Sequence, residues 1–181
     1  LVKVATVIPS NAQRGLPTVN GSVTLYDDKT GELTALVDFH LVTKWKTAGN
    51  SLLAARRLAR PDARRILLVG AGSVARALHA AYSAAFPKAT FTVWSRTRAS
   101  SEALAALLPD VAIADDLEAA VLQAEIIGSA TMATEPLIKG AWLQPGQHLD
   151  LIGAYRPDMR EVDDEALQRA RLFVDSFDTT L

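Results

Sequence analysis

The 181-residue sequence contains no cysteine, which excludes disulfide bonds, thiolate metal sites and a cysteine nucleophile. It also lacks an excess of charge of either sign, since 19 lysine and arginine residues face 20 aspartate and glutamate residues, for a net charge of −1. Proteins that bind the phosphate backbone of nucleic acids need a basic field. The composition therefore predicts no nucleic-acid partner.

Long apolar runs are absent as well, because no stretch approaches the roughly 18 consecutive apolar residues of a membrane span. The opening residues Val2-Lys3-Val4 are not a basic region followed by a long apolar one, so no signal peptide is expected. A 49% hydrophobic and 22% charged composition is typical of a globular protein. We expect no membrane contact and a cytoplasmic location, and a chain starting at Leu1 without methionine suggests a fragment.

The first part of the chain has the pattern of a small β-rich unit followed by a helix. We predict a strand at 2–8, and a hairpin whose strands 22–26 and 33–37 flank a polar, glycine-containing turn. A helix over 40–59 follows, with an apolar stripe of Leu41, Trp45, Ala48 and Leu52.

From Arg64 onward, apolar strands alternate with helices. This alternation predicts an α/β fold with a Rossmann-type, doubly wound parallel sheet. We place the boundary between residues 1–61 and 62–181. The predicted strands are 66–69, 91–94, 111–114, 126–130, 149–153 and 172–175, and the predicted helices are 74–85, 101–108, 117–124 and 164–170.

A glycine-rich loop, Gly70 to Ala75, lies between the first of these strands and the helix after it, with the pattern G-x-G-x-x-A. In this fingerprint the first glycine permits a tight turn and the second lets a pyrophosphate approach the backbone. The helix N-terminus then faces the negative charge. We predict that Gly70, Gly72, Ser73 and Val74 bind a dinucleotide. The alternative is a glycine-rich turn that packs without a ligand.

The end of the second strand of this half indicates which dinucleotide binds. NAD sites place an acidic residue there on the ribose hydroxyls, but this strand ends in Ser95, Arg96, Thr97 and Arg98. Hydroxyl and guanidinium groups are suited to a 2′-phosphate. We therefore favour NADPH, with NADH possible, and assign Ser95, Arg96 and Thr97 to the cofactor. The alternative is that the two arginines are solvated surface charges.

The loop after the fourth strand of this half supplies three more candidates for cofactor binding: Ala130, Thr131 and Met132. Carboxyl ends of strands line the ligand crevice of this fold, so Thr131 could reach the pyrophosphate or the nicotinamide side. An ordinary loop that starts with a hydroxyl cap is the alternative. No metal site is expected, because His40, His79 and His148 are isolated along the chain.

Six short motifs, taken in order, resemble the ornithine cyclodeaminase/μ-crystallin family over essentially the whole chain. The resemblance implies a Rossmann domain plus part of a β-rich domain used for dimerisation and substrate closure, and hence a homodimer. The motifs are Lys3 with Pro9-Ser10-Asn11, Lys46-Thr47-Ala48, Gly70-Ala71-Gly72, Trp94-Ser95-Arg96-Thr97, Ser129-Ala130-Thr131 with Glu135-Pro136, and Gly153 to Glu161.

The resemblance also implies roles for residues of the first half. Lys3 matches a lysine that meets the carboxylate of an amino-acid substrate. Lys46-Thr47 matches an Arg-Thr pair in which the arginine grips the same carboxylate and the threonine touches the cofactor. Lysine is a point charge without the bidentate fork of arginine, so Lys46 implies looser carboxylate binding.

Position 155 distinguishes the branches of the family that the chain resembles. Ornithine cyclodeaminases carry an aspartate at the matching position, whereas this sequence has Tyr155. Tyrosine, with an ordinary pKa near 10, is a poor base at neutral pH. With Lys3, Lys46 and Tyr155 as catalytic candidates, the resemblance implies NADPH-dependent reduction of a cyclic imino acid, pyrroline-2-carboxylate or piperideine-2-carboxylate, to L-proline or L-pipecolate. The alternatives are an NAD-dependent ornithine cyclodeaminase and a nucleotide-binding protein without turnover.

Overall fold

The computed structural model describes residues 1–174 and residue 176. The chain divides into two compact units, Leu1–Ala48 and Gly49–Leu181. The division lies inside the helix that follows the β-rich segment, whereas the sequence places the boundary after that helix. Among the described residues, no helix combines the length and apolar character needed to cross a bilayer.

The first unit is built on an antiparallel sheet, in which the described residues form three strands in the order β1-β2-β3. They are β1 Val2–Val7, β2 Val19–Tyr26 and β3 Leu33–Val37, and a 3₁₀ turn at Pro9–Arg14 joins the first two. Asp27 closes the hairpin turn by accepting hydrogen bonds from the backbone N–H groups of Lys29 and Thr30 at 2.9 and 2.8 Å. The predicted hairpin is therefore confirmed.

Helix α1, Phe39–Leu58, begins in the first unit and ends in the second. The helix is confirmed, but its predicted apolar stripe is only partly buried, since Leu41 and Trp45 are 57% and 51% exposed. Of the predicted stripe, Ala48 is fully buried, as is Ala55 two turns later, so the prediction holds for Ala48 and fails for Leu41 and Trp45. Helical spacing identifies a face, but it does not show which face is covered.

The second unit contains a parallel sheet, formed within the described residues by five strands in the order β6-β5-β4-β7-β8. The strands are β4 Arg65–Val69, β5 Thr90–Trp94, β6 Val111–Ile113, β7 Ile126–Ser129 and β8 His148–Leu151. The helices are α2 Ser73–Ala85, α3 Arg98–Ala105, α4 Leu117–Gln123 and α5 Asp164–Arg169, with a 3₁₀ turn at Gly140–Trp142. The order reverses between β4 and β7, which opens a ligand crevice at the carboxyl ends of these strands.

Both faces of this sheet are covered, as a doubly wound fold requires. Leu67 and Val69 of β4 pack with Val121 of α4 in one buried cluster. Leu68, which points the other way along the strand, lies with Leu78 of α2 around Gly128. Fully burying one such side chain is worth about 1.5–3 kcal/mol, so the central strand contributes strongly to stability. The predicted fold class is confirmed.

The predicted sixth strand of this half, 172–175, is wrong over the residues described. Residues 172–174 have no regular secondary structure, and Asp175 lies outside the described residues. Leu172 and Phe173 are 61% and 54% exposed. High β-propensity makes a strand only where the side chains pack on a sheet, and these side chains do not.

Candidate functional site

The glycine loop after β4 begins at Gly70, whose φ of +103° is in the left-handed region. A Cβ added there would lie 2.6 Å from the carbonyl oxygen of Ala130. The Gly70 N–H also donates a hydrogen bond of 2.8 Å to the carbonyl of Trp94. The protein itself therefore requires glycine at this position, because the loops after β4 and β7 press together here.

Gly72 differs, because nothing in the described protein requires a glycine there. It caps the N-terminus of α2 in an extended conformation, with φ −87° and ψ −172°. A Cβ added at Gly72 would meet no atom of the described residues within 4 Å. The open space lies at the N-terminus of a 13-residue helix that starts with Ser73 and Val74. A dinucleotide pyrophosphate fits this cradle, since the second glycine of the fingerprint makes room for it.

The turn after β5 is held by its own hydroxyl groups. Ser95 Oγ donates to the carbonyl of Thr97 at 2.8 Å and shares a 2.8 Å hydrogen bond with Ser101 Oγ. Thr97 Oγ1 shares a 2.7 Å hydrogen bond with Ser100 Oγ. These bonds give the turn at the start of α3 a defined shape.

The two arginines of this turn have different surroundings. Arg98 pairs with Glu102 at 2.8 Å and also with Asp115. Arg96 is exposed, and among residues 1–174 and 176 it forms no ion pair. Arg96 is therefore the better candidate for a phosphate, whereas Arg98 already has two acidic partners.

The loop after β7 is organised by Glu161, which sequence reasoning did not single out as a site residue. Glu161 is 3% exposed. Its Oε1 accepts hydrogen bonds from Ser129 Oγ at 2.7 Å, Thr131 N at 2.8 Å and Thr131 Oγ1 at 2.7 Å. The Thr131 hydroxyl thus donates to the protein, so it is not a free hydrogen-bond donor in this structure. The available signal was an acid placed directly before the apolar Val162.

The loop after β8 meets the same carboxylate. Gly153 N–H donates to Glu161 Oε2 at 2.7 Å, and a Cβ at Gly153 would lie 2.2 Å from the carbonyl oxygen of Thr131. Farther along this loop, Tyr155 is 52% exposed, with its Oη 4.0 Å from Met132 Sδ. The structure therefore brings together two of the predicted site residues, Met132 and Tyr155, at the carboxyl ends of neighbouring strands.

The lysines predicted to bind a carboxylate both lie in the first unit. Lys3 is on β1 and Lys46 is on α1. Partial burial and the neighbouring Lys46 ammonium lower the pKa of Lys3, so the two cations lie within electrostatic range. The Lys3 ammonium also lies 4.8 Å from the centre of the Phe39 ring. A pair of ammonium groups beside an aromatic ring is suited to an anionic ligand. Thr47, half-buried, follows Lys46 on the helix.

The three histidines lie on three different elements, α1, α2 and β8. His79 and His148 are buried, and burial lowers the pKa of each. Within the part of the chain that the structure describes, no three histidine, aspartate or glutamate side chains are grouped as they would be around a metal ion.

Comparison with known proteins adds a match along the whole chain. The model of the ornithine cyclodeaminase/mu-crystallin family matches residues 1–180. The chain belongs to this family. It is 51% identical over 184 aligned residues to the Δ1-pyrroline-2-carboxylate reductase of Paracoccus denitrificans, covering 99% of this chain and 58% of that protein. It is 34% identical to the mouse ketimine reductase mu-crystallin, covering 99% of this chain and 58% of the relative.

A solved structure supports the same placement. The Δ1-pyrroline-2-carboxylate reductase of Thermococcus litoralis, in complex with NADH and L-proline, superimposes with a TM-score of 0.89 at 30% identity. That match covers 96% of this chain and 55% of the other. The chain thus spans somewhat more than half the length of the relatives it matches.

Proposed function

We propose that the protein catalyses NADPH-dependent reduction of a cyclic imino acid, pyrroline-2-carboxylate or piperideine-2-carboxylate, to L-proline or L-pipecolate. The observation that carries the proposal is the 51% identity to a Δ1-pyrroline-2-carboxylate reductase across 99% of the chain. Tyr155 supports it, because a tyrosine stands where the resemblance implies an aspartate in ornithine cyclodeaminases.

The nucleotide is proposed to bind at the crevice of the second unit. Gly70 shapes the loop and Gly72 leaves the open cradle at the α2 N-terminus, where Ser73 and Val74 begin the helix. A bound reduced nicotinamide supplies a hydride to the imine carbon. The segment 130–132, which follows β7, is proposed to face the nicotinamide side.

The preference for NADPH is proposed to come from the turn after β5. The guanidinium of Arg96 forms no ion pair within residues 1–174 and 176. The hydroxyl groups of Ser95 and Thr97 stabilise the turn through hydrogen bonds. A guanidinium recognises a phosphate through charge-assisted hydrogen bonds. NADH, which lacks the 2′-phosphate, gains nothing from Arg96.

The substrate carboxylate is proposed to bind Lys3 and Lys46. Burial and the neighbouring Lys46 ammonium lower the pKa of Lys3, and a bound anion relieves the repulsion between the two ammonium groups. At the other end of the imine, the nitrogen must gain a proton if the substrate enters neutral. The exposed hydroxyl of Tyr155, or a water molecule, is proposed to donate that proton.

The test is a turnover panel on the full-length protein. Oxidation of NADPH is followed with pyrroline-2-carboxylate, piperideine-2-carboxylate and a linear ketimine, and NADH replaces NADPH in a parallel series. Turnover of either cyclic imino acid supports the proposal. Ammonia released from ornithine with catalytic NAD⁺ would assign the cyclodeaminase reaction instead, and tight nucleotide binding without any turnover would assign a binding role.

We infer a homodimer and a cytoplasmic protein. Light scattering on the full-length protein tests the first, and fractionation of cells that express it tests the second. A monomer at micromolar concentration, or recovery with membranes, would contradict the respective inference.

A further inference from the structure

The loop that carries Tyr155 is anchored at both of its ends. Its first residue, Gly153, donates its N–H to Glu161 Oε2 at 2.7 Å. Its last residue, Arg160, donates its N–H to the carbonyl of Ala133 at 2.8 Å. The loop 153–160 therefore rests on the loop 131–133 at one end and on the Glu161 carboxylate at the other.

The Glu161 carboxylate joins these two loops through one buried group. Oε1 accepts three hydrogen bonds from Ser129 and Thr131, and Oε2 accepts the bond from Gly153. All four partners are donors, so the acceptor-only, ionised form of the carboxyl matches them. Within the described structure, this carboxylate links the loop after β7 to the loop after β8.

We propose that Glu161 is a positioning residue for the reductase reaction. It holds the loop 153–160 against the loop 131–133 and so fixes where Tyr155 stands relative to the crevice. Glu161 itself does not touch the substrate in this role. The kinetic part of the inference rests on the function proposed above, but the loop anchoring does not.

A glutamine at position 161 separates this role from simple packing, because the two side chains have nearly the same volume. If the NH₂ group of the glutamine takes the place of Oε2, it meets the backbone N–H of Gly153. If it takes the place of Oε1, it meets the three donors from Ser129 and Thr131. Either way, donors meet donors and at least one buried hydrogen bond is lost. Packing alone would tolerate the substitution.

The experiment compares Glu161→Gln with Glu118→Gln in the full-length protein. Glu118 is an exposed glutamate in the first turn of α4, so its variant controls for the loss of one negative charge. Ser129→Ala removes one donor to the same carboxylate and leaves the other three. Each variant is measured for kcat and KM with the imino acid, for the nucleotide Kd, and for amide hydrogen exchange over 131–133, 153–160 and α2.

For Glu161→Gln we expect kcat to fall about tenfold or more, because a misplaced reacting group lowers the rate of the chemical step. The nucleotide Kd should change less than about twofold. Amide exchange should accelerate in 153–160 and 131–133 and stay unchanged in α2. Ser129→Ala should show the same pattern with smaller changes, and Glu118→Gln should match the parent.

Two results would overturn the proposal. One is an unchanged kcat together with unchanged exchange over 153–160 in a folded Glu161→Gln variant. The other is faster exchange throughout, α2 included, with kcat and nucleotide affinity lost together, which indicates a general structural role. If Glu161→Gln does not fold, the same two outcomes are judged on Ser129→Ala. If the parent protein reduces no imino acid, the proposed function fails, and the exchange data alone still decide the anchoring.

Discussion

A Cβ on Gly70 would lie 2.6 Å from the carbonyl oxygen of Ala130, so the loop after β4 and the loop after β7 fit together only without a side chain. Gly72, two residues later, faces open space. The two glycines of the fingerprint therefore stand in different surroundings, and different causes explain them. The fold requires the first glycine, whereas the second is the one that we propose a bound pyrophosphate requires.

This difference predicts opposite outcomes for two alanine variants. Gly70→Ala should lower the free energy of unfolding by about 1–3 kcal/mol, because a non-glycine residue is strained at positive φ. Gly72→Ala should change the free energy of unfolding by less than about 1 kcal/mol and raise the nucleotide Kd about tenfold or more. Urea denaturation and nucleotide titration measure both. Equal nucleotide affinity in Gly72→Ala and the parent would contradict the assigned cradle.

Arg96→Gln should weaken NADPH binding and leave NADH binding unchanged. Loss of one phosphate contact worth about 1.4 kcal/mol raises Kd about tenfold. Arg98→Gln is the matched control, since Arg98 already pairs with Glu102 and Asp115. Titration of all three proteins with both nucleotides is the measurement. A similar loss in both variants, or a loss for NADH as well, would argue against recognition of a 2′-phosphate by Arg96.

Much of the second unit could be predicted from sequence because its signals are local. The buried run 66–69 and the G-x-G-x-x-A loop that follows define the β4–α2 unit by composition and spacing alone. The acidic cluster at 163–165 likewise predicts a helix N-terminus, where carboxylates stabilise the helix dipole. Asp163 caps that helix, since it accepts a hydrogen bond of 2.9 Å from the backbone N–H of Ala166.

The features that could not be predicted from the sequence depend on contacts between residues that are distant along the chain. The role of Glu161 arises from donors at positions 129, 131 and 153, which no spacing rule connects. The exposure of Leu41 shows the same limit, since periodicity cannot tell which side of a helix is covered. The segment 172–174 has strand propensity but no strand, because propensity acts only with packing partners.

Tyr155→Phe should lower kcat while leaving stability unchanged. The side chain is 52% exposed, and its hydroxyl has Met132 Sδ as its neighbour at 4.0 Å, so little folding energy depends on it. Loss of a group that assists proton transfer costs about 100-fold or more in rate; because water can replace the hydroxyl, we expect a loss nearer tenfold. Tyr26→Phe, on the exposed end of β2, is the control. Full activity of Tyr155→Phe would remove Tyr155 from the catalytic candidates.

Lys46→Arg should improve substrate binding. An arginine can hold a carboxylate through two parallel hydrogen bonds, which a lysine cannot do. We expect the KM for the imino acid to fall several-fold, with kcat within about twofold of the parent. Lys44→Arg is the control, because Lys44 lies on the same helix with its ammonium 4.6 Å from the centre of the Trp45 ring. An equal change in KM for both variants would indicate a general effect of charge on α1.

The contacts of Glu125 predict that the stability of the folded protein decreases at acid pH, whatever reaction the protein catalyses. Its Oε2 accepts hydrogen bonds from the backbone N–H groups of Arg64 and Arg65 at 2.9 and 3.1 Å, and it pairs with the Arg65 guanidinium at 3.4 Å. The Arg64 N–H is the main cause that lowers the pKa of Glu125. A carboxyl with a lowered folded pKa stabilises the protein above its unfolded pKa, and this stabilisation is lost as the pH falls through the folded value.

The parent should therefore be more stable than Glu125→Gln by about 1 kcal/mol at pH 7, and the difference should shrink as the pH falls below the ordinary glutamate pKa of about 4.3. Urea denaturation of both proteins across this range measures the difference. Glu118→Gln serves again as the control, since its exposed carboxylate lies on another element. A stability difference that stays constant down to the lowest pH, or that grows there, would contradict this prediction. It would show that the charge of Glu125 does not stabilise the protein through its contacts with Arg64 and Arg65.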